Sequence, residues 1–321
     1  MDLDIDPARF TVHHADPRGF RQAFVREGVG GVPLLCVHGW PETKRIFWKV
    51  IAPLAEAGFE VIVPDLRGFG DSEQGPDGYH DAVASALDLY ALVHDVLGHH
   101  HVVVLGGDFG GPVIQDLALR HPYWIDRMVL FNSPLPYLKG AMAGITGTRP
   151  PREASDYFIR QGTDPDGLIA ELTTPEMRQR YIATFYTSRF WAHPGAFLDP
   201  GAPARRLGSS SIVDFHTEPF ADAGSLRASF GAYESVFNAA ARTDVALMGH
   251  NDHTLTLILH GTSDRVIYPA FDEMAAAVFE RHVGPFLLRN CGHFVPWEAP
   301  HALVSGTAAF CSDLLAVQNR S

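Results

Sequence analysis

The stretch Val102-Val103-Val104-Leu105-Gly106-Gly107-Asp108-Phe109-Gly110-Gly111 carries the deciding signal of this chain. Four consecutive apolar residues suit a strand buried on both faces, as in a parallel sheet. A helical pattern begins just beyond it, over residues 112–120. Glycines two positions either side of Asp108 let strand and helix approach closely around a sharp bend, which is what a nucleophile elbow requires. The residue at the apex is aspartate, not serine. Backbone N–H groups and the dipole of the following helix would stabilise an anion there, so Asp108 is a candidate carboxylate nucleophile.

Outward from this point, buried-strand runs alternate with helical patterns. Val32–Val37 is an apolar run that stops at His38-Gly39-Trp40-Pro41; residues 46–57 have helical spacing closed by Gly58, and Phe59–Pro64 is strand-like again. Strands are also expected at 20–27 and 128–131, and a helix at 82–97. This alternation predicts an α/β fold with a mostly parallel central sheet flanked by helices. The rhythm breaks at Ser133-Pro134-Leu135-Pro136 and resumes as a strand over 254–259, with a last strand over 285–289 and a closing amphipathic helix. The expectation is one core domain, residues 1–135 and 251–321, carrying an inserted mainly helical cap, residues 136–250.

Two later strands end in loops that matter: Thr262-Ser263-Asp264 follows the first and Gly292-His293 the second. Strand C-terminal ends in an open α/β sheet converge on one edge, so Asp108, Asp264 and His293 can meet there. Each of the last two alone reads as a turn acid and as one of 17 histidines. Their order and their placement at strand ends give them weight together. The loop at His38-Gly39-Trp40-Pro41 can supply the Trp40 N–H opposite that of Phe109, a two-donor oxyanion hole. Asp65-Leu66-Arg67-Gly68-Phe69-Gly70 is assigned to structure, with Arg67 in an internal ion pair.

Composition narrows the classes. The formal charge of −12 without clustered basic residues gives no phosphate-seeking surface, so no nucleic-acid partner is expected. No apolar run approaches the ~20 residues that span a bilayer, so no membrane insertion is expected. The opening residues are acidic and lack the pattern of a secretory signal. Cys36, Cys291 and Cys311 have no metal spacing. His99-His100-His101 reads as an exposed loop, so no metal and no cofactor is expected. A cytoplasmic location is the expectation, and homodimerisation is left open.

The blocks His38-Gly39-Trp40-Pro41-Glu42, Asp65-Leu66-Arg67-Gly68-Phe69-Gly70, the Asp108 elbow, Gly261-Thr262-Ser263-Asp264 and Gly292-His293-Phe294-Val295-Pro296-Trp297-Glu298 resemble those of the α/β-hydrolase superfamily, specifically its aspartate-nucleophile epoxide hydrolases. Members commonly carry His before the nucleophile and Trp after it; Gly107 and Phe109 stand there instead. The resemblance implies an α/β-hydrolase fold and opening of an epoxide to a vicinal diol through an ester on Asp108. Water activated by the His293/Asp264 pair would hydrolyse that ester. It further implies two cap tyrosines that protonate the opened oxygen: Tyr233 for one, and Tyr157, with Tyr186 second, for the other. The partners expected are a small apolar epoxide and water. His38, Pro41, Tyr186, Trp191 and Phe294 are candidate substrate-pocket residues.

Two rivals share parts of this pattern. Haloalkane and haloacetate dehalogenases use the same nucleophile, but the former place an amide at the Trp40 position and an indole after the nucleophile, and the latter an Arg after it. A non-catalytic ligand-binding member of the fold is the other. A serine-type esterase is disfavoured by Asp108 itself.

Overall fold

The structure is a computed structural model, and it describes residues 5–151, 156–199 and 211–318; the acidic residues 1–4 lie outside these. Eight strands form one sheet: β1 (Val12–Ala15), β2 (Gln22–Glu27), β3 (Val32–Val37), β4 (Phe59–Pro64), β5 (Val102–Gly107), β6 (Ile125–Phe131), β7 (Leu255–Gly261) and β8 (His282–Leu288). Their spatial order is β1-β2-β4-β3-β5-β6-β7-β8. β1 and β2 are antiparallel to their neighbours, and every pairing from β4 to β8 is parallel. Every residue of β4 and β5 is buried, because helices cover both faces of the central strands.

The core helices before the break are α1 (Ile51–Glu56), α2 (Ala82–Tyr90) and α3 (Gly110–Arg120). Between β6 and β7 lie α4 (Asp156–Thr163), α5 (Pro165–Glu171), α6 (Pro175–Tyr186), α7 (Ser211–Thr217), α8 (Ala223–Ser229) and α9 (Gly231–Phe237), with no strand among the described residues there. The chain then forms α10 (Phe271–Val278), α11 (Val295–Glu298), α12 (Pro300–Phe310) and α13 (Ser312–Gln318). No helix among the described residues is long and apolar enough to cross a membrane.

Differences from the expected elements have local causes. The helix expected over 46–57 becomes a 3-10 turn, Lys44–Phe47, followed by α1. Pro53 sits in the first turn of α1, where its missing N–H is not needed, and could not have continued a helix from upstream. Residues 82–97 start as α2 but finish as a π-helical turn, Ala91–Val96. β8 starts at His282 and carries Pro285 inside it; it is the last strand of the sheet, where a residue that cannot donate is tolerated. Pro296 and Pro300 lie in the first turns of α11 and α12, and a further break at Cys311 separates α12 from α13, so the closing helix is in three pieces.

Arg67 is 1% exposed and binds Asp88 through Nε at 2.6 Å and Nη2 at 2.7 Å, the internal ion pair that its loop implied. A second buried pair, Lys44 with Asp65, fixes the loop after β3 to the loop after β4. Both pairs are desolvated yet hydrogen-bonded, the condition under which burying charge is tolerated.

Candidate active site

The elbow between β5 and α3 forces Asp108 to φ 42°, a left-handed conformation that a non-glycine residue adopts only where its surroundings over-determine it. Crowding shows why glycines surround it. A Cβ on Gly110 would collide with the Val37 carbonyl, and one on Gly39 with the Asp108 side chain. A Cβ on Gly107 would meet the Phe131 ring. The position before Asp108 is therefore small because β6 supplies an aromatic ring that fills its space.

Three strand-end loops converge on the Asp108 carboxylate. The Trp40 N–H, from the loop after β3, donates to Oδ1 at 2.6 Å. His293 Nε2, from the loop after β8, lies 3.1 Å from Oδ2. His293 Nδ1 lies 2.8 Å from Asp264 Oδ2. The other Asp264 oxygen accepts the N–H of Val266 at 2.7 Å, which fixes the carboxylate's orientation. Asp108 is 7% and His293 2% exposed, so this chain of polar groups is largely desolvated.

Burial alone would lower the His293 pKa, but the flanking Asp264 and Asp108 outweigh it and hold the imidazole well above its ordinary range. Loss of the Asp108 charge would remove one of the two carboxylates that raise it. Glu42, from the loop after β3, accepts the Gly39 N–H at 2.6 Å. Burial first, and the nearby Asp108 charge second, push its pKa up to about 8.

The carboxylate opens into a cavity of about 640 Å³ lined largely by apolar side chains and by Phe109, Tyr157, Tyr233 and Tyr268. Tyr157 from α4 and Tyr233 from α9 stand edge to face, ring centroids 5.7 Å apart. They meet because α4 crosses α9 at Gly162, where a Cβ would strike Phe237 and lie 3.0 Å from the Tyr233 carbonyl. The Tyr157 ring also stacks on Trp40 at 5.6 Å. Burial, followed by the Asp108 charge, lifts the Tyr157 pKa well above the usual phenol range; burial, Tyr157 and Asp108 do the same for Tyr233. Both phenols thus keep their protons, and their two hydroxyls lie close enough to influence one another's ionisation.

None of the five substrate-pocket candidates lines this cavity. His38 is a buried structural group whose Nδ1–H donates to the Gly39 carbonyl at 2.8 Å and whose Nε2 accepts the Leu66 N–H at 3.0 Å. Tyr186, considered also as the second cap phenol, donates its hydroxyl to the Pro41 carbonyl at 2.5 Å. Its ring stacks on Phe294 at 4.7 Å, so all three are committed to packing. The Trp191 ring packs edge-on against His293 at 4.8 Å and braces it.

Sequence reasoning missed Asn132 and Glu298. Glu298 accepts the N–H groups of Gly292 at 2.8 Å, Phe294 at 3.0 Å and His193 at 2.8 Å, gripping the His293 loop from both sides. A glutamate five residues after the histidine was the only signal available.

Residues 32–300 match the model of the α/β hydrolase fold family. The chain is 30% identical over 312 residues to a soluble epoxide hydrolase of Corynebacterium sp. (strain C12), covering 95% of this chain and 98% of that protein. It is 28% identical over 275 residues to a haloalkane dehalogenase of Mycolicibacterium paratuberculosis, covering 79% of this chain and 83% of that one. The solved structure of the ligand-free epoxide hydrolase CorEH superposes with a TM-score of 0.75 at 26% identity, over 95% of this chain and all of that one, 100%. With its sheet order, its elbow and these relatives, the chain belongs to the α/β-hydrolase fold family and, within it, to the epoxide hydrolases.

Proposed function

We propose that the protein hydrolyses small apolar epoxides to vicinal diols through a covalent ester on Asp108. The observation that carries this reading is the shared cavity: a carboxylate paired with His293 lies in the same apolar space as two buried, protonated phenols. An epoxide offers saturated carbon, which a carboxylate can attack, and releases an alkoxide, which needs a proton. Asp108 Oδ2 attacks the ring carbon; one of Tyr157 and Tyr233 gives its proton to the departing oxygen while the other donates a hydrogen bond, and the proton that His293 releases as its pKa falls restores the phenol. The helical segment between β6 and β7 serves as the cap that brings those phenols over the sheet edge.

The second step follows from the charge change. Esterification removes the Asp108 negative charge, so one of the two carboxylates holding His293 protonated is lost and its pKa falls toward that of a general base. His293, oriented by Asp264, then takes a proton from water that attacks the ester carbonyl. The N–H groups of Trp40 and Phe109 stabilise the oxyanion, and Asp108 returns.

A dehalogenase would need donors for the halide. The Trp40 indole N–H is already given to Ser229 Oγ at 3.1 Å, and the Phe109 side chain has no donor, which favours epoxide over haloalkane. The test is intact-mass analysis of His293→Gln mixed with an epoxide panel. The expected result is a stable adduct that maps to Asp108. Inert epoxides together with halide release from haloalkanes would move the assignment to dehalogenase, and no adduct with either class would favour a ligand-binding role.

A further inference from the structure

We infer that Asn132 is a positioning residue that locks the His293/Asp264 pair to the nucleophile, and that it serves the ester-hydrolysis step specifically; the inference rests on the mechanism proposed above. Asn132 follows β6 directly, is fully buried at 0% exposure, and sits at φ 35°, the left-handed region that asparagine tolerates better than most residues. Its backbone carbonyl accepts the Asp108 N–H at 2.9 Å. Its side-chain Oδ1 accepts the Gly261 N–H at 2.9 Å, at the root of the Asp264 loop. Its Nδ2 donates to the Gly292 carbonyl at 2.8 Å, next to His293. One residue therefore touches all three loops that carry the candidate triad.

The amide orientation is fixed by chemistry, because Gly261 offers a donor and Gly292 an acceptor. Gly261 must lack a side chain, since a Cβ there would come within 2.9 Å of Nδ2 and collide with the Gly292 carbonyl. The Gly292 peptide is held at both ends, its N–H by Glu298 and its carbonyl by Asn132. The acid and histidine loops are also laced directly, Ser263 N–H to Cys291 carbonyl at 2.8 Å, so they stay together without Asn132. What the Asn132 side chain adds is their registration to the end of β6, and through the backbone of the same residue to Asp108.

This division separates two steps. The Asp108 N–H bond uses the backbone and not the Asn132 side chain, and the cap phenols do not touch that side chain, so ester formation should persist. Ester hydrolysis needs His293 within reach of a water at the Asp108 carbonyl, and a misplacement of about 1 Å can cost ~10²-fold.

The experiment is single-turnover kinetics with an epoxide, read by quenched-flow mass analysis, on Asn132→Asp and Asn132→Ala. In Asn132→Asp an acceptor oxygen faces the Gly292 carbonyl, and in Asn132→Ala two buried backbone groups lose their partner. Expected is ester formation within about threefold of the parent, hydrolysis slowed on the order of 10²-fold, and accumulation of the ester on Asp108. Equal slowing of both steps, no change in either, or loss of folding in both variants would overturn the assignment, the last because the side chain would then be holding the domain. If His293→Gln forms no ester, the proposed mechanism itself fails, which is a separate result from a failure confined to the Asn132 variants.

Discussion

The sheet edge and the helical segment above it hold their reactive groups by different physics. At the sheet edge, Asp108, His293 and Asp264 are fixed by hydrogen bonds from backbone and buried polar groups, several of them at 2.6–2.9 Å. Above it, Tyr157 and Tyr233 are fixed by ring packing against Trp40, Phe158 and each other. Hydrogen bonds of defined direction set an atom's position sharply, whereas ring contacts set a plane and leave the polar tip uncommitted. On the proposed chemistry, the lower region holds one attacking atom in place and the upper meets an oxygen whose position depends on the substrate.

The contrast is broken most directly at Asp108. Asp108→Asn keeps the shape and the Trp40 contact but removes the proposed nucleophile. Turnover should fall on the order of 10⁴-fold or more, with no adduct detectable by mass. Activity near that of the parent would show that the carboxylate is not attacking.

The upper region should respond in degrees. Tyr157→Phe and Tyr233→Phe each leave the other phenol in place, and each should slow ester formation by about 10–10²-fold, with the double variant down by ~10³-fold or more. The measurement is the rate of the first step across substrates of differing size. If one single variant abolishes the step and the other leaves it untouched, the two-donor reading reduces to one donor.

A smaller effect sharpens the electrostatics of the lower region. The Glu42 pKa is raised in the folded protein to about 8, so the folded state holds a proton that the unfolded chain has already released. The stability this gives is fully present below the ordinary carboxyl pKa of ~4.3. It is lost as pH rises through about 8. Glu42→Gln cannot ionise, so its stability relative to the parent should rise from pH 5 to pH 8 and level off above. Thermal unfolding across that range measures it; a difference that stays flat with pH would mean the parent's Glu42 is charged throughout.

Much of the lower region was legible because its signals are local. A short apolar run closed by turn residues marks a doubly covered strand, and the Gly-x-Asp-x-Gly stretch marks the bend. Asp264 and His293 could be placed because parallel strands deliver their ends to one edge. Asn132 was not legible. Its amide joins residues about 130 and 160 positions away, and a contact of that range leaves no periodicity behind. The pocket residues were hard to read for a related reason. Aromatic side chains near the site motifs read alike whether they face a cavity or each other, and Tyr186 and Phe294 face each other. The meeting of Tyr157 with Tyr233 depends on the close crossing at Gly162, which only the packed helices reveal.

The two oxygens of Asp108 are not interchangeable, since Oδ1 is anchored by the Trp40 N–H and Oδ2 faces His293. On the proposed chemistry the anchored atom stays with the protein as the ester carbonyl, while its twin departs inside the product and is replaced from solvent. Every diol would then carry an atom drawn from the water consumed one cycle earlier. The protein would keep a one-atom memory of its previous turnover, renewed on one side of the carboxylate only.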